Sequence, residues 1–208
     1  MWEVFLLSEL NYTEQIMEKI YKASREDVFI ATDFLDIADY HTVRQALLRL
    51  SKYEKIQKIM NGIYYCPQYS KLLQEYESPS PNKVAMAIAR KFNWTIAPSG
   101  NTALNQLGLS TQVTAKWNYI SDGPYHTFKI DGFELEFKHR NNKEISGMSY
   151  KTAMVIQAFK TMGKDHITEE AKIILRKHLT SEEKEKLLQE GKQTTMWIYN
   201  VIKEISED

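Results

Sequence analysis

Apolar positions set the outline of the first third of the chain. From Thr13 to Lys22, Ile16, Met17 and Ile20 recur at helical spacing between Glu14, Glu18, Lys19 and Lys22, which predicts an amphipathic helix with Thr13 placed to cap it. Val28 to Ala31 reads as a short extended piece. Thr32 then predicts the cap of a short helix carrying Phe34, Leu35 and Ile37. In "ADYHTVRQALLRLSKYEKI", Val43, Ala46, Leu47 and Leu50 fall at i, i+3, i+4 and i+7, one apolar stripe of a helix. Tyr40, His41, Arg44, Gln45, Arg49 and Lys52 occupy the other side. "KIQKIMNGIYYCP" reads as two strands joined at Asn61-Gly62, the strongest short hairpin signal because both residues accept positive φ, and Pro67 ends the second strand.

The pattern changes after residue 69. Residues 70–81 are polar, hold Pro79 and Pro81, and read as a linker. Val84, Ala85, Ile88 and Ala89 line a helix that Asn82 is placed to cap. "IAPSGNTALNQLGLSTQV", Ile96 to Val113, reads as strand, turn and short helix, with Gly100 making the turn and Gly108 closing the helix. Val113, Ala115, Trp117 and Tyr119 alternate as in a strand. Asp122 to Pro124 is a turn, and "YHTFKI" and "FELEFKHR" are strands joined through Asp131-Gly132. Helices follow: one with Ala153, Ile156 and Phe159 in register, one with Ile167, Ile173 and Ile174, one opened by a Thr180/Glu183 capping box and closed by Gly191, and a last one over Lys192 to Ile205 with Trp197 and Ile198 inside. The fold class expected is α+β: an N-terminal winged helix-turn-helix (1–69, with an N-terminal extension), a linker (70–81), and a mixed α/β unit (82–208) with a small antiparallel sheet and C-terminal helices.

Charge sharpens this picture through its distribution. The 27 basic and 27 acidic side chains cancel, but a local patch suffices for nucleic-acid binding. Between Arg44 and Lys58 lie Arg44, Arg49, Lys52, Lys55 and Lys58 against Glu54 alone, whereas Asp27, Asp33, Asp36 and Asp39 make the preceding segment acidic. The hydrophobic share of 43% excludes wholesale disorder. Cys66 is the single cysteine, which excludes an internal disulfide and fits a reducing cytoplasm. No apolar run approaches the ~18 residues of a membrane span. The start, "MWEVFLLSELNY", carries Glu3 and Glu9 without a basic flank and is not read as a signal peptide; it is expected to pack on the body as a strand or helix.

Three helices and a hairpin, in that order, predict a winged helix whose last helix enters the major groove. Arg44 and Gln45 have the chemistry to read base edges, arginine on guanine and glutamine on adenine. Tyr40, His41 and Thr42 stand at a helix start, where backbone N–H groups favour phosphate. Lys52, Lys55 and Lys58 would neutralise phosphates, and Asn61 sits on the wing. The competing reading of the same residues is a winged module for protein contacts with a merely solvated basic face.

Catalytic signatures are weak. Neither G-x-x-x-x-G-K-[ST] nor G-x-G-x-x-G occurs at Gly100 and Gly108. Glu136-x-Lys138 on a strand matches half of a Mg²⁺-dependent nuclease site, with Asp122 or Asp131 as the other carboxylate. It also fits plain alternation, Phe133, Leu135 and Phe137 inward and Glu134, Glu136 and Lys138 outward. His126, His139, His166 and His178 lack metal-ligand spacing, and Ser99 has no evident histidine or acid partner. No enzymatic activity, cofactor or metal is expected.

"RQALLRLSKYEKIQKIMNGIYYCP", "VAMAIARKFNWTIAPSGNTALNQLGLSTQV", "YISDGPYHTFKI" and "FKHRNNKEIS" together resemble the AbiEi-type antitoxins of type IV, abortive-infection toxin–antitoxin systems of phage defence, over roughly residues 10 to 205. The resemblance implies a winged helix that binds operator DNA upstream of its own operon and represses it, with cooperative self-association on DNA. It also implies a C-terminal part acting against a nucleotidyltransferase toxin. Carried over by position, the DNA contacts would be Tyr40, His41, Thr42, Arg44, Gln45 and Arg49 on the helix, with Lys58 and Asn61 on the wing, to which the charge pattern adds Lys52. Ser99, Asn101 and Gln112 would face a partner or DNA.

Overall fold

The computed structural model describes residues 2–24, 27–72, 74–112, 114–141, 145 and 147–207, and side chains from residue 11 onward. It is an α+β protein in two compact units, residues 1–93 and 94–208. Val113, counted in a strand alternation above, lies outside the described residues.

The first unit begins with α1 (Trp2–Lys22), β1 (Val28–Phe29), a 3₁₀ turn (Ala31–Phe34) and α2 (Tyr40–Lys52). β2 (Gln57–Met60) and β3 (Ile63–Tyr65) follow. The helix expected from Thr13 starts eleven residues earlier in the sequence, at Trp2, so Thr13 lies inside it rather than at its start. The turn of the second helix begins after Ile30 rather than Thr32, because the Asp33 carboxylate accepts from Ile30 N at 2.9 Å. β3 lies between β1 and β2, antiparallel to both. Gly62, at φ +72°, takes the left-handed conformation the tight Asn61-Gly62 turn requires. This order and pairing are consistent with the expected winged helix.

Its core holds the predicted α2 stripe, whereas Leu35, counted among the apolar positions of the second helix, is 48% exposed. Val43, Ala46, Leu47 and Leu50 of α2 are buried with Ile16, Ile20, Phe34, Ile56 and Tyr64. Each such large aliphatic side chain contributes about 1.5–3 kcal/mol.

The expected linker is structured. β4 (Tyr69–Ser70) and β5 (Glu75–Tyr76) form a small antiparallel hairpin, with the Tyr69 and Tyr76 rings edge to face at 5.4 Å. α3 (Pro81–Phe92) then packs back onto the first unit. Lys83 Nζ reaches Asp27 at 2.8 Å, and Arg90 donates to Val28 O at 3.0 Å and Asp33 at 3.1 Å. The division of the chain therefore falls after Asn93, not at 70–81. Pro81 is the first residue of α3, a position where its missing N–H costs nothing, and Asn82 lies inside the helix while Ser80 holds the cap position.

In the second unit, β6 (Ile96–Pro98) leads into α4 (Gly100–Gln106), followed by β7 (Lys116–Ser121), β8 (His126–Ile130) and β9 (Phe133–His139). The strand order is β6-β7-β9-β8. Both outer pairs are antiparallel, as expected, but the central β7–β9 pair is parallel. α5 (Tyr150–Met162), α6 (Glu169–His178), α7 (Ser181–Glu190) and α8 (Met196–Ser206) complete the unit. α5 is buried continuously from Thr152 to Phe159. The Thr180/Glu183 capping box is present in both directions. α6 buries Ala171 and Leu175, leaving Ile173 and Ile174 substantially exposed against expectation. The last helix starts at Met196, four residues later than expected, after a 3₁₀ turn at Gly191–Gln193.

Candidate nucleic-acid interface

The face of α2 opposite the core carries His41, Arg44, Gln45, Leu48 and Lys52, all exposed. Their spacing aligns them in one stripe along the helix. Arg49 and Thr42 are half-buried at its margins. Lys58 on β2 and Asn61 at the hairpin turn are exposed as well. Tyr40, Arg44 and Asn61 line one cleft between α2 and the hairpin. The sequence-predicted residues of the first unit thus gather on α2 and the adjoining wing.

Leu48, 39% exposed in the middle of the stripe, escaped the sequence reading because it lies off the 43/46/47/50 repeat. On a groove-facing helix such a side chain suits the methyl group of thymine.

The start of α2 differs from expectation. Asp39 is its cap: the carboxylate accepts from His41 N at 2.9 Å, from Thr42 N at 3.1 Å and from the Thr42 hydroxyl at 2.6 Å. These bonds, the Thr42 hydroxyl first, hold the Asp39 carboxyl below its ordinary value. A charged carboxylate therefore occupies the His41 and Thr42 N–H groups, two of the three expected to be offered to phosphate.

The C-terminal end of α2 is closed by Glu54 at φ +57°, with Lys55 N bonded to Leu50 O at 3.0 Å and Tyr53 N to Arg49 O at 3.0 Å. The one acidic residue among the five cations is thus at the left-handed closing position, where glycine is usual.

In the second unit, the three residues proposed for partner contact separate. Ser99 is 8% exposed, and its N–H donates to Asn118 O at 2.9 Å. Asn101 and Gln112 are exposed. Gly100, at φ +56°, opens α4, and Gly108, at φ +70°, closes it with Leu109 N bonded to Leu104 O at 2.8 Å. The glycines of "PSGNTALNQLGL" are accounted for by turn and cap.

Glu136 lies on the sheet face opposite Leu135 and Phe137, as alternation predicts, yet it is only 5% exposed. Tyr125 Oη donates to its Oε1 at 2.6 Å, Lys116 Nζ approaches the same oxygen at 2.9 Å, and Lys138 Nζ approaches Oε2 at 3.2 Å. Burial pushes the carboxyl up, but the bonds from Tyr125, Lys116 and Lys138 outweigh it and hold it down to about 2. A nuclease carboxylate needs lone pairs open to Mg²⁺. Here two ammonium groups and a phenol take both oxygens. Asp122 is turned to the backbone, accepting from Thr95 N at 2.8 Å, and Asp131 sits in the β8–β9 turn. This donor set does not fit a metal. Among the described residues, no group of three or more His, Cys, Asp or Glu side chains gathers, and no helix is long and apolar enough to cross a membrane.

A family model described as "Family of unknown function (DUF6088)" matches residues 15–187. No curated protein matches the chain.

Proposed function

The chain belongs to the DUF6088 family, whose function is unknown, and we propose that it is a cytoplasmic, non-catalytic DNA-binding autorepressor that doubles as the antitoxin of a nucleotidyltransferase toxin from the same operon. The observation that carries the DNA-binding part is the exposed stripe His41–Arg44–Gln45–Leu48–Lys52 on α2 beside a wing bearing Lys58. It joins hydrogen-bonding readers, an apolar contact and phosphate-neutralising cations on one helix face. The antitoxin part rests on the resemblance to AbiEi-type antitoxins alone, with Asn101 and Gln112 as the exposed contact candidates of the second unit.

Fluorescence anisotropy of the protein on its own upstream duplex, against a scrambled duplex across a salt series, tests the repressor. Tight, salt-dependent preference for the upstream duplex is the expected result. No preference at any salt would make the first unit a protein-contact module. Co-expression with the product of a neighbouring nucleotidyltransferase gene tests the antitoxin role: growth should be restored by the intact chain.

A further inference from the structure

The wing turn is held by a residue that the sequence assigned to another domain. Lys91, in the last turn of α3, donates from Nζ to Asn61 O at the hairpin tip. Its Nζ lies 3.6 Å from where a Cβ on Gly62 would stand. The last turn of α3 is therefore fastened both to the wing, through Lys91, and to β1 and the 3₁₀ turn, through Arg90.

This arrangement frames the cleft of ≈ 260 Å³ between α2, the wing and α3. Arg44 enters from α2, and Arg90 and Lys91 enter from α3. The lining contains no carboxylate. The nearest acid with a role here, Asp33, is already bonded to Arg90. Lys58 lies close enough to disfavour the charge on Lys91, whose ammonium is held below its ordinary value first by burial and then by Lys58. Like charges converge from α2 (Arg44), α3 (Lys91) and β2 (Lys58), while Arg90 is paired with Asp33 and Asp39 takes up two N–H groups at the start of α2. A bound anion is what relieves such a convergence.

Building on the DNA-binding reading above, we propose that Lys91 holds one backbone phosphate of the bound duplex at this cleft, beside the base-reading Arg44, so that α3 is part of the DNA-binding surface. Arg90 acts as a positioning residue, tying α3 to β1 and the 3₁₀ turn. The wing would then be fixed on the DNA by that phosphate, next to the recognition helix, with Lys91 setting the wing tip while it makes the contact.

The test compares the full chain with Lys91→Gln and Lys91→Arg on the upstream and scrambled duplexes, with circular dichroism to check that each variant is folded. Lys91→Gln should bind both duplexes about three- to tenfold more weakly at low salt. The slope of log affinity against log salt should become shallower by about 0.9, the signature of one lost phosphate. Lys91→Arg should retain most of both. Weaker binding with an unchanged slope would reduce Lys91 to a support for the wing and overturn the proposal, as would unchanged binding. If the unaltered chain bound no duplex at all, the DNA-binding reading would fail first. Titration with tripolyphosphate would then decide the cleft: binding lost in Lys91→Gln would reassign it to a free phosphate compound, and no binding would end both readings.

Discussion

Tyr125 donates its hydroxyl to Glu136 at 2.6 Å, across a hairpin from the residue it holds. The carboxylate so held is buried and paired with Lys116 and Lys138, and its folded value lies near 2 against an ordinary 4.5. A depressed carboxyl contributes stability above its unfolded value and loses it as pH falls through the folded one. Stability of the second unit should therefore fall between about pH 4.5 and pH 2. Glu136→Gln should flatten that part of the profile and cost about 1–3 kcal/mol at pH 7, the lower end reflecting the half-exposed lysines. Chemical denaturation across pH measures both. A variant with the parent's acid profile would show that Glu136 is not the group responsible.

Gly123 is a packing site. A Cβ there would lie 2.4 Å from the Trp94 ring, which itself packs edge-on against Phe137 at 5.7 Å. Gly123→Ala should destabilise by about 1–3 kcal/mol. Thermal unfolding followed by tryptophan fluorescence reads the change, and an unaltered midpoint would mean that the ring shifts freely.

Glu54 stands where glycine belongs. Glu54→Gly should relieve the left-handed strain, raising stability by roughly 0.5–1 kcal/mol. It should also remove the one acid among the cations of α2 and the wing, so duplex affinity should rise at low salt and converge with the parent at high salt. A loss of stability would show that Glu54 makes contacts worth more than its strain.

Arg44 and Lys58 should fail in different ways. Arg44→Ala should weaken binding to the upstream duplex by about 1–3 kcal/mol and relax base preference, whereas Lys58→Ala should weaken all duplexes alike and flatten the salt slope. Equal losses for Arg44→Ala on upstream and scrambled DNA would remove it as a base reader and leave only its charge.

The elements that sequence predicted well are those with one wet and one dry side. Val43, Ala46, Leu47 and Leu50 set the phase of α2, and Asn61-Gly62 set the hairpin, because both signals are local. α6 went out of phase because Ile173 and Ile174 are more apolar than Ala171, yet helix geometry turns Ala171 and Leu175 inward. Pro79 and Pro81 imitate a linker, although Pro81 starts α3. The attachments of α3, Arg90 to Val28 and Lys91 to Asn61, join residues far apart in sequence and leave no local trace. Glu136 was placed on the correct face, but its burial depends on Lys116 from the parallel neighbour strand and Tyr125 from beyond a turn. Asp39 looked like part of an acidic segment, and only its bonds to His41 N and Thr42 reveal a cap that takes up two N–H groups of the helix start.

The position of β9 between β7 and β8 governs the order in which the second unit is made. β7 leaves a ribosome before β8 and β9, but its partner on that side is the last strand of the sheet. β8 and β9 pair through the short Asp131-Gly132 turn, and that hairpin must then present β9, not β8, to the waiting β7 edge. Until residue 139 has emerged, β7 keeps one row of backbone groups open. That interval is when the growing chain is most prone to pair with a neighbour.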